Sequence, residues 1–235
     1  MPVKRTKNKH ISTKVSPGRT IIWAVGLFVV GFSGFVFLHN IISTNSTPAT
    51  DYQVVQWMTT HRTPFVTGIM EVITNILSPI GFALMVVTTS ALWMWRKKEF
   101  WRPSLLLGAM GAAFLIAAAI KASVERLRPP IEYMVAPFEL DFAFPSGHTI
   151  GIATFALVIG YLIYSRRKSL AILVSWLTLA ATSTALVAFS RMYLGYHWLS
   201  DTLAATALAV IILAAVILVD QLRPSPKAAA SDSDQ

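Results

Sequence analysis

Apolar residues in this chain run in long continuous stretches rather than alternating with polar ones, and six stretches approach the length of a bilayer-spanning helix. They are Ile21–His39, Ile76–Trp95, Ser104–Ile120, Thr149–Tyr164, Leu170–Phe189 and Thr202–Val219. A hydrocarbon core about 30 Å thick takes about 20 helical residues, so two of the six are a little short. Transmembrane β-strands would alternate, so the continuous runs point to helices. The expected fold is all-α: a polytopic membrane protein with six transmembrane helices. One membrane domain would occupy residues 21–222, between a basic tail over 1–20 and a small, polar, disordered tail over 223–235. The first run exceeds the roughly 7–15-residue apolar core of a signal peptide, and no small-residue cleavage site follows it. It reads as a retained anchor.

Composition agrees. Of 235 residues, 54% are hydrophobic and 13% are charged, and mean hydropathy is +0.59. A soluble domain carries roughly a quarter charged residues, so a soluble enzyme and a disordered chain are both disfavoured. With no cysteine, disulfide frameworks, thiolate metal sites and a cysteine nucleophile are excluded.

The formal charge of +9 changes the picture through its distribution. Six basic residues precede the first span: Lys4, Arg5, Lys7, Lys9, Lys14 and Arg19. Arg96, Lys97, Lys98 and Arg102 lie between spans two and three, Arg166, Arg167 and Lys168 between four and five, and Arg223 and Lys227 after the sixth. The opposite connections hold five: Arg62, Lys121, Arg126, Arg128 and Arg191. Basic residues favour the cytoplasmic side, which places both termini there. The charge is a topology signal rather than a nucleic-acid footprint. In the outer connection over residues 41–75, Thr50-Asp51 is expected to cap a short interfacial helix with Val54, Val55, Trp57 and Met58 as its apolar stripe; an ordinary loop is the alternative. Asn45-Ser46-Thr47 is a glycosylation sequon, a tripeptide common by chance.

Polar groups at the outer ends of the spans call for partners or a function. Lys121 and Arg128 are seven residues apart, about two turns, so a helix continuing to Pro129-Pro130 would set both cations on one face, suited to a phosphate. A snorkelling helix end is the alternative. Pro145-Ser146-Gly147-His148 precedes span four, where free N–H groups and the Ser146 hydroxyl would meet an anion; such turns are also common without a ligand. His197 and Asp201 stand i, i+4, so the carboxylate would orient the ring and leave its other nitrogen as nucleophile or base. A capping pair at the start of span six is the alternative. Together the three segments supply cations, two histidines, a carboxylate and a helix N-terminus at one face, a phosphate site with a nucleophile and an acid. Glu125, Arg126, Glu132, Glu139 and Asp141 read as solvated loop charges, with shaping of the site's rim as the alternative; Glu71 and Asn75 read as interfacial, with a cleft-facing position as the alternative; His39 and His61 read as non-catalytic.

These residues resemble the signatures of the type 2 phosphatidic acid phosphatase superfamily, KxxxxxxRP, PSGH and SRxxxxxHxxxD. Each fixed position matches, as Lys121…Arg128-Pro129, Pro145-Ser146-Gly147-His148 and Ser190-Arg191…His197…Asp201. The resemblance implies a six-span lipid phosphatase with its active site at the outer face. His197 would form a phosphohistidine, Asp201 would orient and stabilise it, and His148 would protonate the leaving oxygen and then activate water. Lys121, Arg128, Ser146, the Gly147 N–H and Arg191 would hold the phosphoryl oxygens. It implies no cofactor and no metal, in keeping with the absence of a carboxylate cluster around the motifs. Phosphatidylglycerol phosphate, phosphatidate and undecaprenyl diphosphate all fit as substrates entering from the lipid. The expected location is a cell membrane crossed several times, of bacterial inner-membrane type. A lipid phosphotransferase and a non-catalytic lipid-phosphate binder or transporter remain the competing readings. A vanadium haloperoxidase is disfavoured because those superfamily members are typically soluble.

Overall fold

The structure, a computed structural model, describes residues 17–43 and 47–223. Most of the N-terminal basic cluster, Asn45 and Ser46 of the sequon, and the tail from Pro224 lie outside the described residues. Among those residues the chain forms eight α-helices and no strand: α1 (Pro17–Ser43), α2 (Ala49–Thr60), α3 (Pro64–Ile76), α4 (Pro79–Lys97), α5 (Trp101–Val124), α6 (Gly147–Arg167), α7 (Leu170–Tyr193) and α8 (Leu199–Leu222).

Five of them, α1 and α5 to α8, are each long and apolar enough to cross a bilayer. The second expected span is different. Helix α4 meets that criterion only together with α3, from which it is bent by 53°. The break lies within the segment expected to be continuous from Ile76. Pro79 has no N–H to donate and pushes the residue before it out of the helical region. Ser78 accordingly adopts φ −66°, ψ 165° and caps α4, its hydroxyl accepting from Gly81 N at 3.3 Å.

Helix α6 is the hub, packed against α5, α7 and α8, while α1 lies along α8. Its buried face carries small residues, Gly151, Ala153, Ala156 and Gly160, and such residues let helix backbones approach closely in lipid. At Gly160 an added Cβ would fall 1.6 Å from Trp176 Cδ1, so the indole of α7 occupies the notch left by the missing side chain. Trp176 Nε1 donates across the same seam to Ala156 O at 2.9 Å. Helices α1 and α7 are peripheral, with Ile22, Val30, Leu170 and Leu179 facing outward as lipid-solvated side chains would.

The two ends of the bundle differ. At one, Arg96 and Lys97 end α4, Arg102 begins α5, and Arg166 and Arg167 end α6. At the other, α2, α3 and the loop from 125 to 146 cover the ends of α5 and α7 and the starts of α6 and α8. Arg62 pins this cover: its Nε donates to Tyr193 O at 2.7 Å and its Nη2 to Tyr133 O at 2.5 Å. The stripe expected on α2 is real in part. Val55 and Met58 are buried, but Trp57 is 55% exposed. Asp51 does not cap its own helix, whose N-cap is Pro48.

Candidate active site

The three polar segments converge at the covered end. Helix α5 ends earlier than expected, at Val124. Glu125 turns into the left-handed region at φ 51° and its N–H returns to Lys121 O. From there the chain is not helical, so Lys121 and Arg128 are not on one helix face, and Pro129-Pro130 does not terminate α5. The two cations meet all the same. Lys121 Nζ and Arg128 Nη2 both donate to the Asp141 carboxylate, each at 2.6 Å.

Helix α6 opens where expected. Ser146 is its fully buried N-cap, and its Oγ accepts from Thr149 N at 3.5 Å and Thr149 Oγ1 at 3.0 Å. Gly147 and His148 form the first turn, where free N–H groups and the helix dipole favour an anion.

The turn from α7 to α8 is tight because of Gly195, which sits at φ 79°. A Cβ there would lie 1.9 Å from Tyr133 O, so both the backbone region and the space demand glycine. This turn delivers His197, which is 2% exposed. His197 Nδ1 faces Asp201 Oδ2 at 3.3 Å, and Asp201 Oδ2 also accepts from Trp198 N at 2.9 Å. On the other side of the ring, Arg128 Nη1 lies 3.3 Å from Nε2. A carboxylate on one nitrogen and a cationic donor on the other assign the proton to Nδ1 and leave Nε2 unprotonated, its lone pair directed toward Arg128. Burial, then Arg128, Arg191 and Lys121, push the His197 pKa well below its ordinary value, so the ring is neutral near pH 7.

Arg191 lies deeper, 1% exposed, with its guanidinium 4.5 Å over the Tyr196 ring. Its Nη1 donates to Thr74 Oγ1 at 2.6 Å and its Nη2 to Glu139 Oε1 at 2.5 Å, while Nε is buried without a partner. Glu139 also binds Arg128 Nη1, at 2.7 Å.

Several residues escaped the sequence reading. Glu139 and Asp141 are more than solvated loop charges: both line the cleft, and a pair of carboxylates does meet at the site. Each bridges two of the cations. Burial opposes ionisation of Asp141, but Lys121 and Arg128 outweigh it and hold its pKa below the usual carboxylate range. The Asp141 side chain is 60% exposed, and ion pairs that open to water contribute only about 0–1 kcal/mol each. An incoming phosphoryl group with more charge and more acceptor oxygens would displace it. Thr74 carried no sequence signal. Arg126 sits inside the Lys121–Arg128 interval, at a span end where a charge asks for a partner, and that signal was present.

A cleft of about 290 Å³ joins these groups. Lys121, Arg128, Glu139, Asp141, Gly147, His148 and His197 form its polar wall, and Pro79, Phe82 and Phe114 its apolar wall. Ser146, Arg191 and Asp201 do not line it. Asp201 stands behind His197, and Arg191 reaches the cleft wall through Glu139.

Residues 102–224 match the family described as the PAP2 superfamily. Over 188 residues the chain is 28% identical to phosphatidylglycerophosphatase B of Bacillus subtilis (strain 168), covering 77% of this chain and 88% of that protein. A 78-residue stretch is 42% identical to phosphatidylglycerophosphatase B of Escherichia coli (strain K12), covering 32% of this chain and 28% of that one. The crystal structure of the transmembrane PAP2-type phosphatidylglycerolphosphate phosphatase from Bacillus subtilis superposes with a TM-score of 0.73 at 26% identity, covering 86% of this chain and 98% of that one. The structure of Aquifex aeolicus LpxE shares the fold, with a TM-score of 0.55 at 20% identity over 73% of this chain and 96% of that one.

Proposed function

Because the chain belongs to the PAP2 superfamily, we propose that it is a membrane lipid phosphatase that transfers the phosphoryl group of its substrate to His197 and then to water. The observation that carries this reading is the single space shared by His197 Nε2 and the Arg128 fork, 3.3 Å apart, with Asp201 behind the ring. A phosphoryl group held by Arg128 is then within reach of the nucleophile.

In the first step the Nε2 lone pair forms a bond to phosphorus as the bond to the leaving oxygen breaks. His148, on the facing helix start, gives that oxygen a proton. The phosphorylated imidazole is positively charged, and Asp201 stabilises it through Nδ1–H. In the second step His148 takes a proton from water, the hydroxide attacks phosphorus, and the P–N bond breaks to release phosphate and neutral His197. Lys121, Arg128 and the first N–H groups of α6 stabilise the equatorial oxygens, where charge spreads in the transition state, and Arg191 adds its positive charge from behind the cleft wall through Glu139. Ser146 serves this arrangement by capping α6.

The cleft has a charged wall and an aromatic wall, which suits a substrate with an anionic head and an apolar tail. The names of the matched relatives favour phosphatidylglycerol phosphate, with phosphatidate and undecaprenyl diphosphate as the further candidates. Released phosphate is measured in detergent across these three lipids. Turnover of at least one, with free phosphate equal to dephosphorylated lipid, is the expected result. Labelled phosphate passing to a second lipid without release would make the protein a phosphotransferase. Binding of all three without turnover would make it a carrier.

We place the site end of the bundle outside the cell membrane and the Arg96–Arg102 and Arg166–Lys168 connections inside, with residues 21–222 as one six-span domain and α3–α4 as its bent second span. The cysteine-free sequence gives a direct test. Leu140 is 82% exposed at the site end. In Leu140→Cys protein, an impermeant maleimide added to intact cells or spheroplasts should label it without lysis. Labelling only after lysis would reverse the orientation.

A further inference from the structure

Arg126 belongs to none of the three motifs' fixed positions, and Asp51 lies on α2, far from all of them in sequence. Both are nonetheless buried against the catalytic pair. The side chains of Asp51, Arg126 and Asp201 are 1%, 9% and 0% exposed. The Arg126 guanidinium forks between two carboxylates. Nη1 donates to Asp201 Oδ1 and, at 2.7 Å, to Ser200 Oγ, while Nη2 donates to Asp51 Oδ2 at 2.7 Å. Asp51 also accepts from Ser200 N at 3.0 Å and Ser200 Oγ at 2.6 Å, so it caps the first turn of α8 from a different helix. The assembly is closed from outside by Trp198, which packs edge-on to Tyr52 at 5.0 Å and lies 5.8 Å from the guanidinium. Neither Asp51 nor Arg126 lines the cleft.

We infer that Asp51 and Arg126 are positioning residues for the nucleophile, a relay Asp51–Arg126–Asp201–His197 that fixes the Asp201 carboxylate and sets how much of its charge reaches the imidazole. The inference rests on the reading of His197 as nucleophile.

Two physical points support the relay. First, a buried carboxylate needs a counter-charge, but a guanidinium devoted to Asp201 alone would cancel the charge that must stabilise the phosphorylated ring. Asp51 draws on the same guanidinium, so the three groups together keep one net negative charge. That matches the one positive charge His197 gains on phosphorylation. Second, the planar fork has fixed directions, so Asp51 and Arg126 hold the orientation of Asp201 as well as its charge. The docking of α2 on the start of α8 thus has a catalytic purpose beyond covering the site.

The test compares Asp51→Asn with wild type, and adds Arg126→Met and His197→Ala. Asparagine keeps the shape of Asp51 and can still accept from Ser200 N. In Asp51→Asn, kcat per folded protein should fall roughly tenfold, a size usual for coupled neighbours in one network. KM for the lipid and the inhibitory constant of orthovanadate should stay within about twofold, because Lys121, Arg128 and Arg191 are untouched. The acid limb of kcat/KM gives a second readout. His197 is faced by Arg128 and Lys121 from α5 and its following loop, Arg191 from α7, His148 from α6, Glu139 and Asp141 from the α5–α6 loop, and Asp201 from α8. All are retained in both relay variants. Loss of the Asp51 charge leaves the imidazolium less stabilised, so the limb moves to lower pH. Loss of the Arg126 charge moves it to higher pH. These opposite displacements would not come from loosened packing. If Arg126→Met fails to fold, Asp51→Asn still decides. Unchanged kcat and an unmoved acid limb in Asp51→Asn overturn the relay, as does a rise in KM and vanadate constant that matches the loss of kcat. Turnover surviving in His197→Ala would instead overturn the nucleophile reading on which the relay rests.

Discussion

Replacing His197 by alanine should leave a folded protein that releases phosphate slower by a factor on the order of 10⁴–10⁶, the loss seen when a nucleophile is removed from a preorganised site. Folding should survive because the neighbours keep their partners. Arg128 Nη1 still donates to Tyr196 O, and Asp201 still accepts from Trp198 N and Arg126. Gel filtration in detergent, with vanadate binding as a check on the cation cradle, separates loss of chemistry from loss of fold. A carrier would bind lipid phosphates equally well with and without the ring. An enzyme that used water directly would keep substantial turnover.

Arg191→Ala should damage both activity and stability. Its guanidinium is the deepest cation of the site and spans Thr74 on α3 and Glu139 on the α5–α6 loop. Removal leaves the Glu139 carboxylate at the cleft wall without its buried counter-charge, facing the developing phosphoryl charge, a loss on the order of 10²-fold in kcat. It also breaks an ion pair whose cationic side is fully enclosed, costing on the order of 3 kcal/mol. Arg191→Lys should not restore either property. An ammonium cannot reach both partners with a fixed fork, and it lacks the Nε donor that Arg191 keeps buried without a partner. Thermal unfolding in detergent and kcat would register the two effects together. A lysine variant with wild-type rate and stability would show that only the charge matters.

The sequence made the helices legible because membrane insertion demands long apolar runs, and it made the site segments legible because each sits where such a run ends. Details governed by single residues or by distant partners were harder to read. The α5 terminus is an example. Nothing in Lys121-Ala-Ser-Val-Glu-Arg announces a stop, since the left-handed residue there is Glu125 rather than glycine. Lys121 and Arg128 therefore converge through a loop and the Asp141 carboxylate, not through the two-turn helical spacing that the sequence suggests. The α3–α4 bend was readable in Ser78-Pro79, but apolar continuity masked it. Asp51 shows the limit most clearly. Its spacing after Thr50 suggested a local cap, whereas its partners Ser200 and Arg126 lie about 150 and 75 positions away. Glu139 and Asp141 looked like loop charges because only the folded chain shows which cations they meet.

The central claim, a covalent phosphoryl–His197 species, is tested most directly by rapid quenching during turnover of a lipid carrying a radiolabelled phosphoryl group. A phosphorylated imidazole withstands alkali and is lost in acid. Wild-type protein quenched in alkali should carry label that acid removes, and His197→Ala protein should carry none. Turnover without any labelled protein, or acid-stable label that persists in His197→Ala, would contradict it.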